Sequence, residues 1–395
     1  MKFCAVICEY NPFHNGHKLQ LETIRKSVDC DKIVCLMSGN FTQRGEAALF
    51  DKFTRARHAV ENGADIVLEL PAAFAVSPAE LFAKGAVKLL SSLPAVTSLA
   101  FGCESGEKKD FLAAAQATLS EDKQFKAAFK ENLKEGLSYA KARTQTVLAL
   151  NGDIDEALFT APNNILGVEY CRALLASGSN IDPVPLIRRG GGYLDPRPYE
   201  NFSSATALRA CLRERTRKAK KALKSNLPPS VFADIQAILP PRAFELAAMS
   251  ALAATAAEEL ARVPDCTEGL ENRLKAFCKS TPEYSAMLSK IVTKRYTLSR
   301  LKRIVCANLL KIREKEVKNF LSSPLYLNVL AVKKESAEAI FSDLQTGAFP
   351  LIVRKSDASA LKKEALECFL CDVRANDLYD VLTGAHTNEY QTLFV

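Results

Sequence analysis

The sequence predicts an α/β fold in its first part, a parallel sheet with helices on both faces, followed by a mostly α-helical second part. Two observations carry this. Apolar runs rich in β-branched residues alternate with amphipathic helical stretches from Phe3 to Phe101. Past the proline pairs Leu227-Pro228-Pro229 and Leu239-Pro240-Pro241 the pattern is mostly helical. A chain of 395 residues is long for one core. Residues 1–225 are therefore expected to form one domain and residues 226–395 a second, helical and basic one.

The elements follow in order. Phe3–Cys8 is a continuous apolar run of strand length, suited to burial on both faces. His17–Ser27 is a helical pattern with Leu19, Leu21 and Ile24 on its apolar side. Lys32–Ser38 is the next strand, and a helix is expected from Asp51 to about Asn62. Asp65–Leu70 is a strand stopped by Pro71, Ala79–Ser91 a helix, and Ser98–Phe101 a strand ending at Gly102. A helical insertion spans Glu107–Ala149, and Pro162 opens a helix running to about Ala176. Pro183–Ile187 is a short strand before Arg188-Arg189 and three glycines, and Ser203-Ser204-Ala205-Thr206 opens another helix with hydroxyls at its N-cap. Late in the chain, Leu325–Val332 and Phe349–Val353 are expected to pair as strands of a small terminal unit. In an open parallel sheet, ligands sit beyond the carboxyl ends of the strands, so the loops after Cys8, Met37 and Phe101 matter most.

Composition narrows the class. No apolar run reaches the ~18 residues of a membrane span, and the short apolar N-terminus meets polar Glu9 too soon for a signal peptide. No membrane association is expected. The 12 cysteines are scattered among hydrophobic residues and read as reduced core cysteines of a cytoplasmic protein. Cys368 and Cys371 have CxxC spacing but no second pair or nearby histidines, so they read as two residues sharing a helix face, with no metal site. The net charge of +8 is unevenly placed. Arg209–Lys224 holds a dense basic run against a single Glu214, and a second run spans Lys290–Lys318. Such density fits a polyanion, most often nucleic acid, although solvated helix faces look alike in sequence.

The chemistry concentrates at one place. Two of the four histidines, His14 and His17, flank Asn15-Gly16 directly after the first strand, at the mouth of a helix. A helix N-terminus offers unpaired N–H groups and a positive dipole end, which suits phosphate. Gly16 is expected to let the backbone approach a nucleotide, and Pro12 to stiffen the approach. Two imidazoles can then donate to phosphate oxygens as charge builds. Arg44, on the same rim after the second strand, suits a carboxylate or phosphate.

The strand–HxGH–helix unit resembles the nucleotidyltransferase superfamily, which includes the class I aminoacyl-tRNA synthetases. The strings Glu9-Tyr10-Asn11-Pro12-Phe13-His14-Asn15-Gly16-His17, Met37-Ser38-Gly39-Asn40-Phe41-Thr42-Gln43-Arg44-Gly45-Glu46, Phe101-Gly102-Cys103-Glu104 and Pro162-Asn163-Asn164-Ile165-Leu166-Gly167 are more particular. In this order they resemble the bacterial tRNA(Met) cytidine acetate ligase family.

The resemblance implies a Rossmann-like nucleotidyltransferase domain and an ATP-dependent ligase. Acetate would be activated as acetyl-adenylate with release of pyrophosphate. The acetyl group would then pass to N4 of the wobble cytidine (C34) of elongator tRNA(Met), giving N4-acetylcytidine. The implied catalytic residues are His14, His17 and Arg44. The implied ATP site comprises Ile7, Cys8, Glu9, Tyr10, Asn11, Pro12, Phe13, His14, Asn15, Gly16, His17, Lys18, Leu19 and Gln20, with Gly102, one asparagine of Asn163-Asn164 and one arginine of Arg188-Arg189. Asn163 and Arg188 are favoured, but each doublet stays open. Arg189, Ser204, Thr206 and Arg209 are candidate phosphate contacts, since Ser203–Arg209 resembles the second superfamily signature. Lys218, Lys220, Lys221, Lys302 and Arg303 are candidate tRNA contacts. Mg²⁺ is expected with ATP, without a dedicated protein site.

Two other readings share parts of this pattern. A small-molecule adenylyltransferase acting on a cofactor precursor would use the same HxGH site without needing a basic second half. A non-catalytic tRNA-binding protein would not need His14, Gly16 and His17 intact.

Overall fold

The protein is seen in a computed structural model that describes residues 1–119, 122–137, 139–188, 203–214, 216–236 and 241–395. Arg189, the glycines Gly190-Gly191-Gly192 and Arg215 lie outside the described residues.

Five parallel strands form the body of the sheet: β1 (Phe3–Cys8), β2 (Lys32–Ser38), β3 (Ile66–Leu70), β4 (Val96–Cys103) and β5 (Asp182–Ile187). Their order is β5-β4-β1-β2-β3, so β1 is central. The strands alternate strictly between two layers. Phe3, Ala5, Val34, Leu36, Ile66 and Leu68 enter one core, and Cys4, Val6, Ile33, Cys35, Met37 and Val67 enter the other. A strand buried on both faces needs apolar residues at every position, which is why these segments read as unbroken hydrophobic runs.

The expected terminal strand unit is corrected. Leu327–Val332 (β6) joins the main sheet, antiparallel to β3, while Leu351–Ile352 (β7) and Leu393–Phe394 (β8) pair with β6. Every residue of β6 is buried, so the run belongs inside a sheet covered on both faces. The sheet therefore takes strands from both parts of the chain and is mixed.

The helices end where local chemistry says they should. Asp51 caps Lys52–Glu61 by accepting from Phe53 N and Thr54 N. Pro162 opens Pro162–Ser177, and Gly178, at φ 63°, closes it. The expected insertion is three helices, Lys108–Leu119, Lys123–Lys134 and Tyr139–Leu150.

The long helix Lys363–Thr383 locks the rim of the sheet. Asp372 Oδ1 accepts from Ala72 N at 2.7 Å, Asn376 Oδ1 from Asn40 Nδ2 at 2.9 Å, and the Tyr379 hydroxyl donates to Ala48 O at 3.1 Å. Beneath it, buried Lys52 donates to Glu69 at 2.8 Å and to Glu389 at 2.6 Å. Unpaired, these charges would be costly to bury. Together they tie the carboxyl-terminal segment to the loops that follow β2 and β3. Cys368 and Cys371 sit buried on this helix, and all 12 cysteines are free thiols.

Candidate active site

A cavity of about 280 Å³ opens at the carboxyl ends of β1, β4 and β5. Its floor is the turn after β1. Tyr10 has φ 47° and the Asn11–Pro12 bond is cis. His14 is the N-cap of the helix Asn15–Ser27, its Nδ1 accepting from Gly16 N at 3.0 Å. His17 Nδ1 accepts from His14 N at 3.3 Å, completing a reciprocal cap. A Cβ on Gly16 would lie 2.8 Å from the His14 ring. The glycine thus makes room for the imidazole that caps the helix, and it also lines the cavity.

The rings are held in a stack. His14 and His17 lie 3.7 Å apart between centroids at 22°, and Tyr10 and Phe13 pack around His17. Burial pushes the His14 imidazole down to about 3, with Arg188 and Arg209 adding to it. Burial, then His14 and Arg188, pushes His17 well below its usual range. Both rings are therefore neutral at physiological pH. Since each Nδ1 accepts a backbone N–H, the remaining ring proton sits on Nε2. The pair can offer donors to the cavity without carrying charge.

Three guanidinium side chains, Arg44, Arg188 and Arg209, also line the cavity. Arg209 donates to Asn11 O at 2.8 Å and lies 3.4 Å from Glu46, bridging the first turn to the loop after β2. A Cβ on Gly102 would meet Arg188 Cγ at 3.2 Å, so a bare backbone there lets that arginine lie across the end of β4. The first turn of the helix Asn15–Ser27 carries no acid. Neutral donors, arginines and a helix N-terminus together suit a polyphosphate.

The candidate residues sort by position. Ile7, Cys8, Glu9, Tyr10, Asn11, Gly16, Leu19 and Gln20 line the cavity with the two histidines. Pro12, Phe13, Asn15 and Lys18 do not line it: Pro12 and Phe13 are buried in the turn, and Lys18 is exposed. Asn163 lines the wall, whereas buried Asn164 accepts from Glu104 N at 2.9 Å and donates to Ala157 O at 3.1 Å. Neither caps its own helix. Glu104 does, accepting from Asn163 Nδ2 at 2.6 Å and Asn164 N at 3.1 Å. Ser204 Oγ accepts from Ala207 N at 3.1 Å as a helix cap, while Ser203 lines the cavity. Thr206 lies 3.4 Å from Arg209 Nη2.

Sequence reasoning missed several residues. Gln43, Thr23, Phe101, Leu166 and Tyr170 line the cavity; Gln43, Phe101 and Leu166 lie inside the quoted strings, while Thr23 and Tyr170 carried no signal. Arg55 lies beneath the site, fully buried, donating to Glu9 O at 2.7 Å, Ser38 O at 3.0 Å, Phe50 O at 3.0 Å and Gly39 O. It pins the ends of β1 and β2 together.

The two basic runs differ. The helix Arg217–Asn226 presents Lys218, Lys220, Lys221 and Lys224 to solvent. Its carboxyl end docks on the HxGH turn, with Asn15 Nδ2 donating to Ser225 O at 2.9 Å. In the second run, Lys302 and Arg303 both face acids. Arg303 is 14% exposed and faces Asp265 at 3.8 Å, and Lys302 faces Glu46 at 3.6 Å. Both lie behind the loop after β2, where a Cβ on Gly45 would meet their backbone at 2.3 Å.

Comparison with known proteins agrees over the whole length. The family model described as HIGH Nucleotidyl Transferase matches residues 1–392. The chain is 32% identical over 398 residues to the tRNA(Met) cytidine acetate ligase of Clostridium botulinum, covering 97% of this chain and 95% of that one. It is 36% identical over 391 residues to the tRNA(Met) cytidine acetate ligase of Caldanaerobacter subterraneus subsp. tengcongensis, covering 96% and 95%. The crystal structure of Thermotoga maritima TmcAL in apo form I superposes with a TM-score of 0.90 at 29% identity, covering 100% of both chains. The form bound with alpha-thio ATP superposes with a TM-score of 0.87 at the same 29% identity, again over 100% of both.

Proposed function

The chain belongs to the tRNA(Met) cytidine acetate ligase family, and from that premise we infer how its own residues carry out the reaction. It is an ATP-dependent ligase that activates acetate and acetylates the wobble cytidine of tRNA(Met). ATP is its co-substrate.

We propose that the adenosine lies at the β4–β5 end of the cavity, between Gly102 and Asn163 and under Arg188, where Phe101 and Tyr170 supply an apolar wall. The triphosphate then runs across the first turn of the helix Asn15–Ser27. His14 and His17 donate through Nε2 to the α-phosphate oxygens, and Arg209 faces the departing pyrophosphate. Arg44, after β2, takes the acetate carboxylate. Acetate oxygen attacks the α-phosphorus, so the protein's task is positioning and charge stabilisation and no protein nucleophile is needed. Neutral imidazoles suit that task because they need no proton exchange as charge builds.

Mg²⁺ would arrive with the phosphates. It commonly keeps most of its waters, and no side chain of this protein is assigned to it. The elongator tRNA would lie on Lys218, Lys220 and Lys221, whose helix docks beside the HxGH turn. The compartment we assign is the cytoplasm, where tRNA and reduced cysteines coexist; among the described residues no helix is long and apolar enough to cross a membrane. A small-molecule adenylyltransferase would leave this basic helix without a role.

The observation that carries the reading is the pair of stacked imidazoles at the helix mouth, each with its Nδ1 accepting a backbone N–H. Exchange of labelled pyrophosphate into ATP should require acetate, and His14→Ala or His17→Ala should slow it by ~10²-fold or more. Acetylation of tRNA by acetyl-CoA without ATP would overturn it.

A further inference from the structure

Acyl transfer to a cytidine amine leaves one proton unaccounted for: the nitrogen must lose it to become an amide. We propose that Glu9 is the base that takes this proton. The proposal rests on the ligase reading above and assigns a residue to its second step.

Among the described lining residues, elimination points to Glu9. The lining arginines have no acceptor. His14 and His17 each use Nδ1 to accept a backbone N–H, and their other ring nitrogen bears the proton. The Tyr10 hydroxyl is buried and shared with Cys35 Sγ at 3.4 Å. Asn11, Gln20, Gln43 and Asn163 carry amides and Thr23 and Ser203 hydroxyls, whose oxygens are poor proton acceptors, and burial keeps the Cys8 thiol protonated. Glu9 is the one carboxyl group among the described lining residues.

Its placement fits the second step better than the first. Glu9 follows the last residue of the central strand, and Arg55 Nη1 fixes its carbonyl at 2.7 Å. Its Oε1 accepts from Gln43 N at 2.6 Å, which draws the carboxylate toward the loop after β2. That is the side of the cavity that carries Arg44, the residue assigned to the acetate carboxylate. One hydrogen bond leaves a carboxylate with most of its acceptor capacity. The groups facing it are Arg44, Arg209 and Glu46. Burial raises the Glu9 carboxyl above its usual range; the Gln43 N–H and the two arginines pull it back, and Glu46 pushes it up further. A carboxylate raised in this way is a better proton acceptor near neutral pH.

The step balances. The cytidine N4 lone pair bonds to the carbonyl carbon of acetyl-adenylate, and the carbonyl π pair moves onto oxygen. Collapse restores the C=O bond and breaks the bond to the phosphate oxygen, and AMP leaves with that pair. The N4 proton passes to Glu9 and then to water.

The test separates the two steps. Glu9→Gln keeps an oxygen for Gln43 N but removes the base. Acetyl transfer from preformed acetyl-adenylate to tRNA(Met), in single turnovers, should fall ~10²–10⁴-fold, the scale of a lost general base. Acetate-dependent pyrophosphate exchange should fall far less. Wild-type transfer should slow as pH drops and Glu9 protonates, and this acid limb should vanish in Glu9→Gln. Glu9→Asp, a second variant in case the first misfolds, should transfer slowly and keep the limb. The proposal is overturned if exchange and transfer fall together, if the acid limb persists in Glu9→Gln, if Glu9→Asp transfers at the wild-type rate, or if Glu9→Gln raises the Mg²⁺ demand of exchange. A wild-type protein that neither exchanges pyrophosphate with acetate nor accepts acetyl-adenylate would instead overturn the ligase reading itself.

Discussion

The helix Arg217–Asn226 and the segment Lys290–Lys318 are both rich in lysine and arginine, yet their cations keep different company. On the first, Lys218, Lys220, Lys221 and Lys224 project to solvent, and Ala219, Leu223 and Asn226 form the buried side. On the second, Arg300 donates to Asp265 O at 2.9 Å, Arg295 pairs with Glu268 at 2.9 Å, and Arg313 lies 3.7 Å from Glu259. The acids that occupy the second cluster lie up to some 50 residues earlier, or in the loop after β2 in the case of Glu46. A local window of sequence sees the cations and not the distant carboxylates. Charge density alone therefore does not distinguish a row of solvent-facing lysines from a cluster whose arginines pair with acids, although Lys294, Lys311, Lys315 and Lys318 of the second cluster also face solvent.

The largest effect that would sharpen this contrast lies on the first helix. Reversing Lys218, Lys220 and Lys221 to Glu should weaken tRNA(Met) binding ~10²-fold or more at low salt. Each phosphate contact contributes roughly 0.9 to the salt slope, so the slope should fall by up to about 3. Such contacts position the RNA without reading its sequence, so the loss should extend to other tRNAs. Filter binding across a salt series measures both. An unchanged slope would mean that this helix is only a solvated face.

Arg303 should answer in the opposite currency, stability rather than affinity. Burial pushes its guanidinium down and pushes the Asp265 carboxyl up, so both charges are desolvated. Removing Arg303 leaves Asp265 with Arg300 alone, at 3.1 Å. Arg303→Ala should therefore cost roughly 1.5–3 kcal/mol in urea unfolding, the range for a bond to a charged group, while the salt slope of tRNA binding stays as in wild type. Combining it with Asp265→Asn should recover part of that loss. A stable Arg303→Ala protein with a reduced salt slope would return this residue to the RNA surface.

The same local-versus-distant distinction governs what could be read without a structure. Strands β1 to β3 were legible because burial on both faces leaves a continuous apolar run. The HxGH turn was legible because its histidines cap their own helix within four residues. The partner of β6 was not, since the pairing of Ile66 with Val332 joins residues far apart in the chain. Nor could a Pro-Asn-Asn step say which asparagine turns to the cavity, as both side chains are chemically identical there. Arg55 reads as an ordinary helix arginine. Its one clue is its place on the face shared with Ala59, which the structure buries against the sheet.

The smallest predicted effect is the sharpest check on the comparison, because Lys302 is the member of the second cluster closest to the candidate site. It lies 3.6 Å from Glu46, and Glu46 lies 3.4 Å from Arg209. The Lys302 and Glu46 side chains are 30% and 19% exposed, so the pair should contribute only about 0–1 kcal/mol to stability. Lys302→Ala should thus melt close to the wild type. It should still be felt at the cavity, since Glu46 then rests on Arg209 alone and draws that guanidinium away from the phosphates. A rise of roughly threefold in the KM for ATP in pyrophosphate exchange corresponds to ~0.7 kcal/mol, within the range of such a pair. The salt slope of tRNA binding should not move. If it falls by about one unit while the KM for ATP stays put, Lys302 touches RNA phosphate and the two clusters form one surface. If the KM rises alone, the second cluster serves the first indirectly, by bracing the loop that carries Arg44.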